Sequence, residues 1–161
     1  MNIKTNVFIS GLIGAAVISA LTFGFIGCGK SDGVHKKYYL NGQLKSEIFY
    51  KDGKKNGPSK QYYENGQLGV EDSFKNGKRE GVKREHYANG QLKSEMFHKD
   101  GKLAGLCKWY RESGQLKSEE IYKDGKREGQ SRWYYENGQL EAEGVYRNGE
   151  PIGTVQRYDQ N

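Results

Sequence analysis

The chain has 161 residues, about the length of one domain, with 23 glycines, 12 tyrosines, only 2 prolines and 34% hydrophobic residues. Glycine at this density is poorly tolerated in long helices and points to many tight turns between strands, while 12% aromatic content argues against a disordered polar chain. A net charge of +6, from 26 basic and 20 acidic residues, describes a surface of mixed sign and does not by itself imply a nucleic-acid partner.

Val7 to Ile26 is a twenty-residue run without a charge, preceded by a segment whose only charged side chain is Lys4. A basic start and an apolar core that ends in small residues make a secretory signal. The core closes as Phe25-Ile26-Gly27-Cys28 and turns polar at Gly29-Lys30-Ser31-Asp32. This resembles a bacterial lipobox, in which the cysteine is acylated and becomes the mature N-terminus; Phe25 stands where Leu is usual. The resemblance implies a lipoprotein signal peptide over residues 1–27 and a lipid on Cys28. Residues 28–32 are then the lipidated cysteine and a short tether of roughly 15 Å. An uncleaved anchor helix is the alternative, since about twenty apolar residues span a bilayer. Both readings place the rest of the chain on the extracytoplasmic side of a membrane at the cell envelope. With Cys28 acylated, Cys107 has no intramolecular disulfide partner and reads as a small core residue.

Residues 33–161 are organised by one period. Gly-Gln-Leu recurs at Gly42, Gly66, Gly90, Gly114 and Gly138, always 24 residues apart. Second and third glycine series run through Gly53 to Gly149 and through Gly57 to Gly153, and Gly33 extends the third series backwards. The first two series sit in Asn-Gly or Asp-Gly pairs, with Ser113-Gly114 the exception. Such pairs accept positive φ at both positions, so two-residue type I′ turns are expected at all ten places. The expected fold is all-β: an elongated, curved single antiparallel sheet of stacked hairpins with about eleven strands.

Counting outward from the turns sets Glu47 opposite Lys36, Glu71 opposite Lys60, Glu95 opposite Arg84, Glu119 opposite Lys108 and Glu143 opposite Arg132, with Leu68 opposite Tyr63. Each such exposed pair is worth a few tenths of a kcal/mol, so its main effect is to specify register. The same count sets Tyr50, Phe74, His98, Tyr122 and Tyr146 against Gly33, Gly57, Gly81, Gly105 and Gly129, where a ring covers bare backbone. Alternation places the turn leucines, Tyr39, Tyr63, Tyr87, Tyr135, these rings, Trp109 and Trp133 on an inner face. The Lys/Arg and Glu pairs with Tyr38, Tyr62, Tyr110 and Tyr134 fall on the other, expected to be solvated.

The unit Tyr62-Tyr63-Glu64-Asn65-Gly66-Gln67-Leu68, continuing to Gly81, resembles the MORN (membrane occupation and recognition nexus) repeat. It is most similar to the bacterial variant in the YwqK family, whose members are described as antitoxin components. Ser113, Arg111, His86 and the Asp72-Ser73 pair depart from the pattern. The resemblance implies a binding or scaffolding module and names no ligand. An antitoxin or immunity role, and binding of phospholipid or glycan, are alternatives it brings with it.

Nothing in the sequence marks an enzyme, a metal site or a cofactor. His86 and His98 stand where other repeats carry aromatics, the histidines and Cys107 lack ligand spacing, and the recurrent glutamates read as ladder partners. The glycine-rich turns lie between strands rather than before a helix, unlike nucleotide loops. Export and regular charge pairing argue against single-stranded nucleic acid. The reading is a membrane-anchored repeat lipoprotein that binds a protein partner through rigid aromatics, with Trp109, Trp133 and Tyr134 as binding residues; the alternative for the two tryptophans is to fill the inner face.

Overall fold

The computed structural model describes residues 30–160, all in one open antiparallel sheet. Its strands are β1 (Gly33–Tyr38), β2 (Leu44–Lys51), β3 (Lys54–Tyr62), β4 (Leu68–Lys75), β5 (Lys78–Arg79), β6 (Gly81–His86), β7 (Leu92–Lys99), β8 (Lys102–Leu103), β9 (Gly105–Tyr110), β10 (Leu116–Lys123), β11 (Lys126–Tyr134), β12 (Leu140–Arg147), β13 (Glu150–Pro151) and β14 (Gln156–Arg157). Neighbours in sequence are neighbours in the sheet, as a meander requires. There are fourteen segments instead of about eleven strands because β5/β6, β8/β9 and β13/β14 are each one long strand interrupted beside its glycine.

The interruption has a backbone cause. Gly33, Gly57, Gly81, Gly105 and Gly129 all hold positive φ, between 71° and 121°, a region closed to most L-residues. Each pairs with its expected ring: Gly33 with Tyr50, Gly57 with Phe74, Gly81 with His98, Gly105 with Tyr122 and Gly129 with Tyr146.

Only half the turns are of the expected type. Asp52, Asn76, Asp100, Asp124 and Asn148 have φ of 51° to 53° and precede positive-φ glycines, which is the two-residue type I′ geometry. At Asn65-Gly66 the glycine alone is left-handed. There Gly66 N–H donates to the Tyr63 carbonyl at 2.9 Å and Tyr63 N–H to the Gln67 carbonyl at 2.8 Å, a three-residue loop closed by a glycine bulge. The Asn65 side chain accepts from Gln67 N–H at 3.0 Å and braces the loop. Because the residue before this glycine needs no positive φ, Ser113 serves at Ser113-Gly114. The longer loop also corrects the local register: Leu68 pairs with Tyr62 rather than Tyr63, and an irregularity between Gln61 and Tyr62 restores Lys60 opposite Glu71. All five expected Glu–Lys/Arg pairs stand opposite one another in the register, and Lys36–Glu47, Arg84–Glu95 and Arg132–Glu143 close to ion pairs at 3.9, 2.7 and 3.3 Å.

With no second layer among the described residues, the best-buried side chains are short. Cys107 and Ser131 are 0% exposed, and Ser59 and Ser94 are nearly so. They share a face with Tyr50, Phe74, His98 and Tyr146, also buried, so taller side chains of flanking rows close over a floor of small ones. Successive hairpins are tied along one edge by tyrosines: Tyr39, Tyr63, Tyr87 and Tyr135 donate to the carbonyls of Tyr62, His86, Tyr110 and Tyr158 at 2.6–2.8 Å. Arg111, which replaces the tyrosine in its repeat, makes the same tie from Nη2 to the Tyr134 carbonyl at 2.7 Å.

Candidate functional site

The ring face is most elaborate near its C-terminal end. Ser118 pairs with Trp109 on one side and Trp133 on the other, so the two indoles flank it two strands apart, roughly 10 Å. Trp109 lies 6.2 Å from Tyr122 and Trp133 6.2 Å from Tyr146. Arg127 stacks on Trp133 and Tyr146 at 5.5 and 5.1 Å, and its Nε donates to Glu120 Oε2 at 2.6 Å. Glu120, 5% exposed, also accepts from Tyr122 at 3.0 Å. Burial, followed by this bond to a carboxylate, raises the Tyr122 pKa despite Arg127 nearby. Two repeats earlier Arg79 meets buried Asp72 at 3.1 Å and stacks on Phe74; in the repeat between, the same positions hold Met96 and Leu103. These buried pairs are structural parts of the face that sequence reasoning missed, and their signal was an acid and an arginine seven residues apart in alternate repeats.

Trp109, Trp133 and Tyr134 do not form one patch. The tryptophans are half-buried in the ring face, while Tyr134 is on the opposite face, where it donates to Glu119 at 2.9 Å. Burial and that bond raise its pKa. Cys28 lies outside the described residues. Cys107 is fully buried, and burial pushes its thiol up, away from the reactive thiolate. His98 is buried among the rings with its pKa lowered, first by burial and then by Arg79. Among the described residues no cluster of three His, Cys, Asp or Glu is placed to hold a metal ion.

The opposite, ladder face carries two rows. One alternates in sign from Lys36 through Glu47, Lys60, Glu71, Arg84, Glu95, Lys108, Glu119 and Arg132 to Glu143. Arg84 bridges Glu95 at 2.7 Å and Glu71 at 3.3 Å, and Arg132 bridges Glu143 and Glu119, both at 3.3 Å. The second row is exposed, as expected for this face, and is mainly apolar: Val34, Phe49, Pro58, Val82, Phe97, Leu106, Ile121 and Val145, interrupted by Ser73 and Gln130. Val34 is 59% exposed, Leu106 49% and Phe97 41%. Depressions of about 200 Å³ and 190 Å³ open on this row, the first lined by Val34, Phe49 and Pro58, the second by Leu106 and Ile121.

Residues 31–52, 55–76, 79–100, 103–124 and 127–148 each match the MORN repeat variant family. The chain belongs to that family, and is a MORN repeat protein of five matched units. No curated protein matches it. Among solved structures it is similar to the crystal structure of accessory secretory protein 1,2 and 3 in Streptococcus pneumoniae, at 16% identity and a TM-score of 0.36 over 78% of this chain. The match takes in 22% of that chain, so this protein spans about a fifth of its length.

Proposed function

We propose that the protein is a non-catalytic, lipid-anchored binding module at a bacterial cell envelope, and that its ladder face holds a protein partner. The exposed apolar row carries this reading. Monomers seldom leave large apolar side chains grouped in the open unless they form an interaction surface, and the runs Val34-Phe49-Pro58 and Val82-Phe97-Leu106-Ile121 lie beside the charged row as an interface core lies beside its polar rim. A flat partner surface with an apolar centre would cover the row and meet charges of both signs beside it. The partnered glutamates support a structural rather than a catalytic use of the carboxylates, since each faces a Lys or Arg across the ladder. The anchor rests on the Gly27-Cys28 sequence after an uncharged run. Export would remove the chain from any cytoplasmic toxin, so an immunity role would be exercised at the envelope.

A photo-cross-linking amino acid in place of Phe97 or Ile121, expressed in the native envelope, tests the proposal. The result expected is one discrete adduct from both positions and none from Leu103 on the ring face. Absence of an adduct from Phe97 and Ile121, or equal adducts from both faces, overturns it.

A further inference from the structure

The ladder face carries the same charge pattern from either end, with the signs exchanged. Its charged row crosses ten strands from Lys36 to Glu143, cation and carboxylate in strict alternation. The next position in the row is Gln156, opposite Glu143, where the five earlier repeats carry Lys or Arg. The charges therefore stop at an even number, and the row turned end for end about its centre sets every cation against a carboxylate. A cation at position 156 would make the count odd and set like on like about that centre.

That reversal is the action of a two-fold axis lying between two facing copies of the sheet, parallel to the strands and level with the gap between β6 and β7. It sets Arg84 against Glu95 of the second copy and Glu71 against Lys108, following the strand order. The apolar row is reversed with it: Val82 meets Phe97 of the second copy and Pro58 meets Ile121, all four exposed. The polar interruptions at Ser73 and Gln130 fall against Leu106 and Phe49, not against each other. Facing sheets stand about 10 Å apart with their strands within about 30°, so contact is closest over β6 and β7 and opens toward both ends. Because the axis runs along the strands, both copies receive their chains at the same edge, where Lys30 pairs with Gly53, two residues beyond Cys28. An axis along the row would put the two entry points on opposite sides.

We propose that the occupant of the ladder face is a second copy of this chain, packed face to face about this axis. The proposal rests on the reading of the ladder face as a protein-binding surface and narrows it to one partner. A two-fold interface uses the same patch on both copies and must be complementary to itself; the charged row meets that condition at every position, and the apolar run Val82-Phe97-Leu106-Ile121 lies at its centre. Pairing covers the exposed apolar side chains, leaves both ring faces with Trp109 and Trp133 outward, and turns both entry edges to one side, as two anchors in one membrane require.

The test expresses the full chain in the native envelope as two versions with different epitope tags, each with a photo-cross-linking amino acid in place of Phe97. The expected adduct has twice the mass of the chain, carries both tags, and maps by mass spectrometry to β6 of the other copy around Val82. Glu71→Lys and Lys108→Glu, each added to both versions, are expected to lower the yield of that adduct about fivefold, because symmetry places each like-charge contact in the dimer twice. The double variant Glu71→Lys, Lys108→Glu is expected to return the yield to within about twofold of the original. Glu71 and Lys108 stand three strands apart in one chain, so the exchange leaves both ladders within each chain mismatched and repairs only the contact between copies. A double variant that cross-links no better than the single ones overturns the proposal. An adduct of Phe97 with a different protein, and none carrying both tags, also overturns it and leaves the protein-binding reading standing; no intermolecular adduct at all overturns both.

Discussion

Arg127→Leu separates the two ways a buried ion pair can act. The change leaves the Glu120 carboxylate, 5% exposed, with Tyr122 as its one remaining hydrogen-bond donor. Removing one partner of a fully buried pair costs about 3–5 kcal/mol. The Arg127 side chain is 36% exposed, so solvent already screens part of the interaction, and a loss of about 2 kcal/mol is expected. In urea, with a slope of about 1–3 kcal/mol per molar, the midpoint falls by about 1 M. Trp133, under the Arg127 guanidinium, gives a local fluorescence readout. The double change Glu120→Met, Arg127→Leu installs the pair that the preceding repeat carries as Met96 and Leu103, and is expected to return the midpoint to within about 0.5 M of the original, since apolar replacement of a whole buried pair is near neutral. A double variant as unstable as the single refutes the reasoning, because the loss would then come from packing and not from a stranded charge.

Three further outcomes follow from the same geometry. Gly81→Ala is expected to destabilise by about 1–3 kcal/mol in urea unfolding, purely from the backbone, because φ is 96° and nothing lies within 4 Å of the added Cβ. Arg111→Ala removes the tie to the Tyr134 carbonyl and is expected to cost about 1 kcal/mol, whereas Arg111→Tyr restores the bond of the other repeats and leaves the midpoint nearly unchanged. His98 has a lowered folded pKa, so between that value and about 6.5 the unfolded chain binds the extra proton. Its contribution is therefore present above pH 6.5 and lost as pH falls, with a slope of at most about 1.4 kcal/mol per pH unit. His98→Phe, the ring type of Phe74, is expected to flatten thermal-melting profiles between pH 7 and 5.

The architecture was legible because its signals repeat: three glycine phases and five charge pairs each made the same statement about register. The turns were half legible. Asn-Gly and Asp-Gly look alike in sequence, yet the first series carries an extra loop residue, and only the positive φ at Asp52 and its equivalents distinguishes the type I′ turns. The apolar row escaped notice because Phe49-Tyr50, Phe97-His98, Ile121-Tyr122 and Val145-Tyr146 are adjacent pairs of which one member turns inward. Alternation sends Tyr50, His98, Tyr122 and Tyr146 inward and by itself does not say that their apolar neighbours line up into one exposed row. The buried floor is built from Ser59, Ser94 and Ser131, in a sheet too thin to take more. The charge pairs were visible one by one, but the self-complementarity of their row exists only once the strand order and register are known.

The reading of this repeat sheet as an anchored envelope module is tested most directly by the intact mass of the mature protein from a bacterial membrane fraction. A chain beginning at Cys28 and carrying a diacylglyceryl group with its acyl chains is the result expected. A chain that begins at Met1, or an unmodified Cys28, contradicts it.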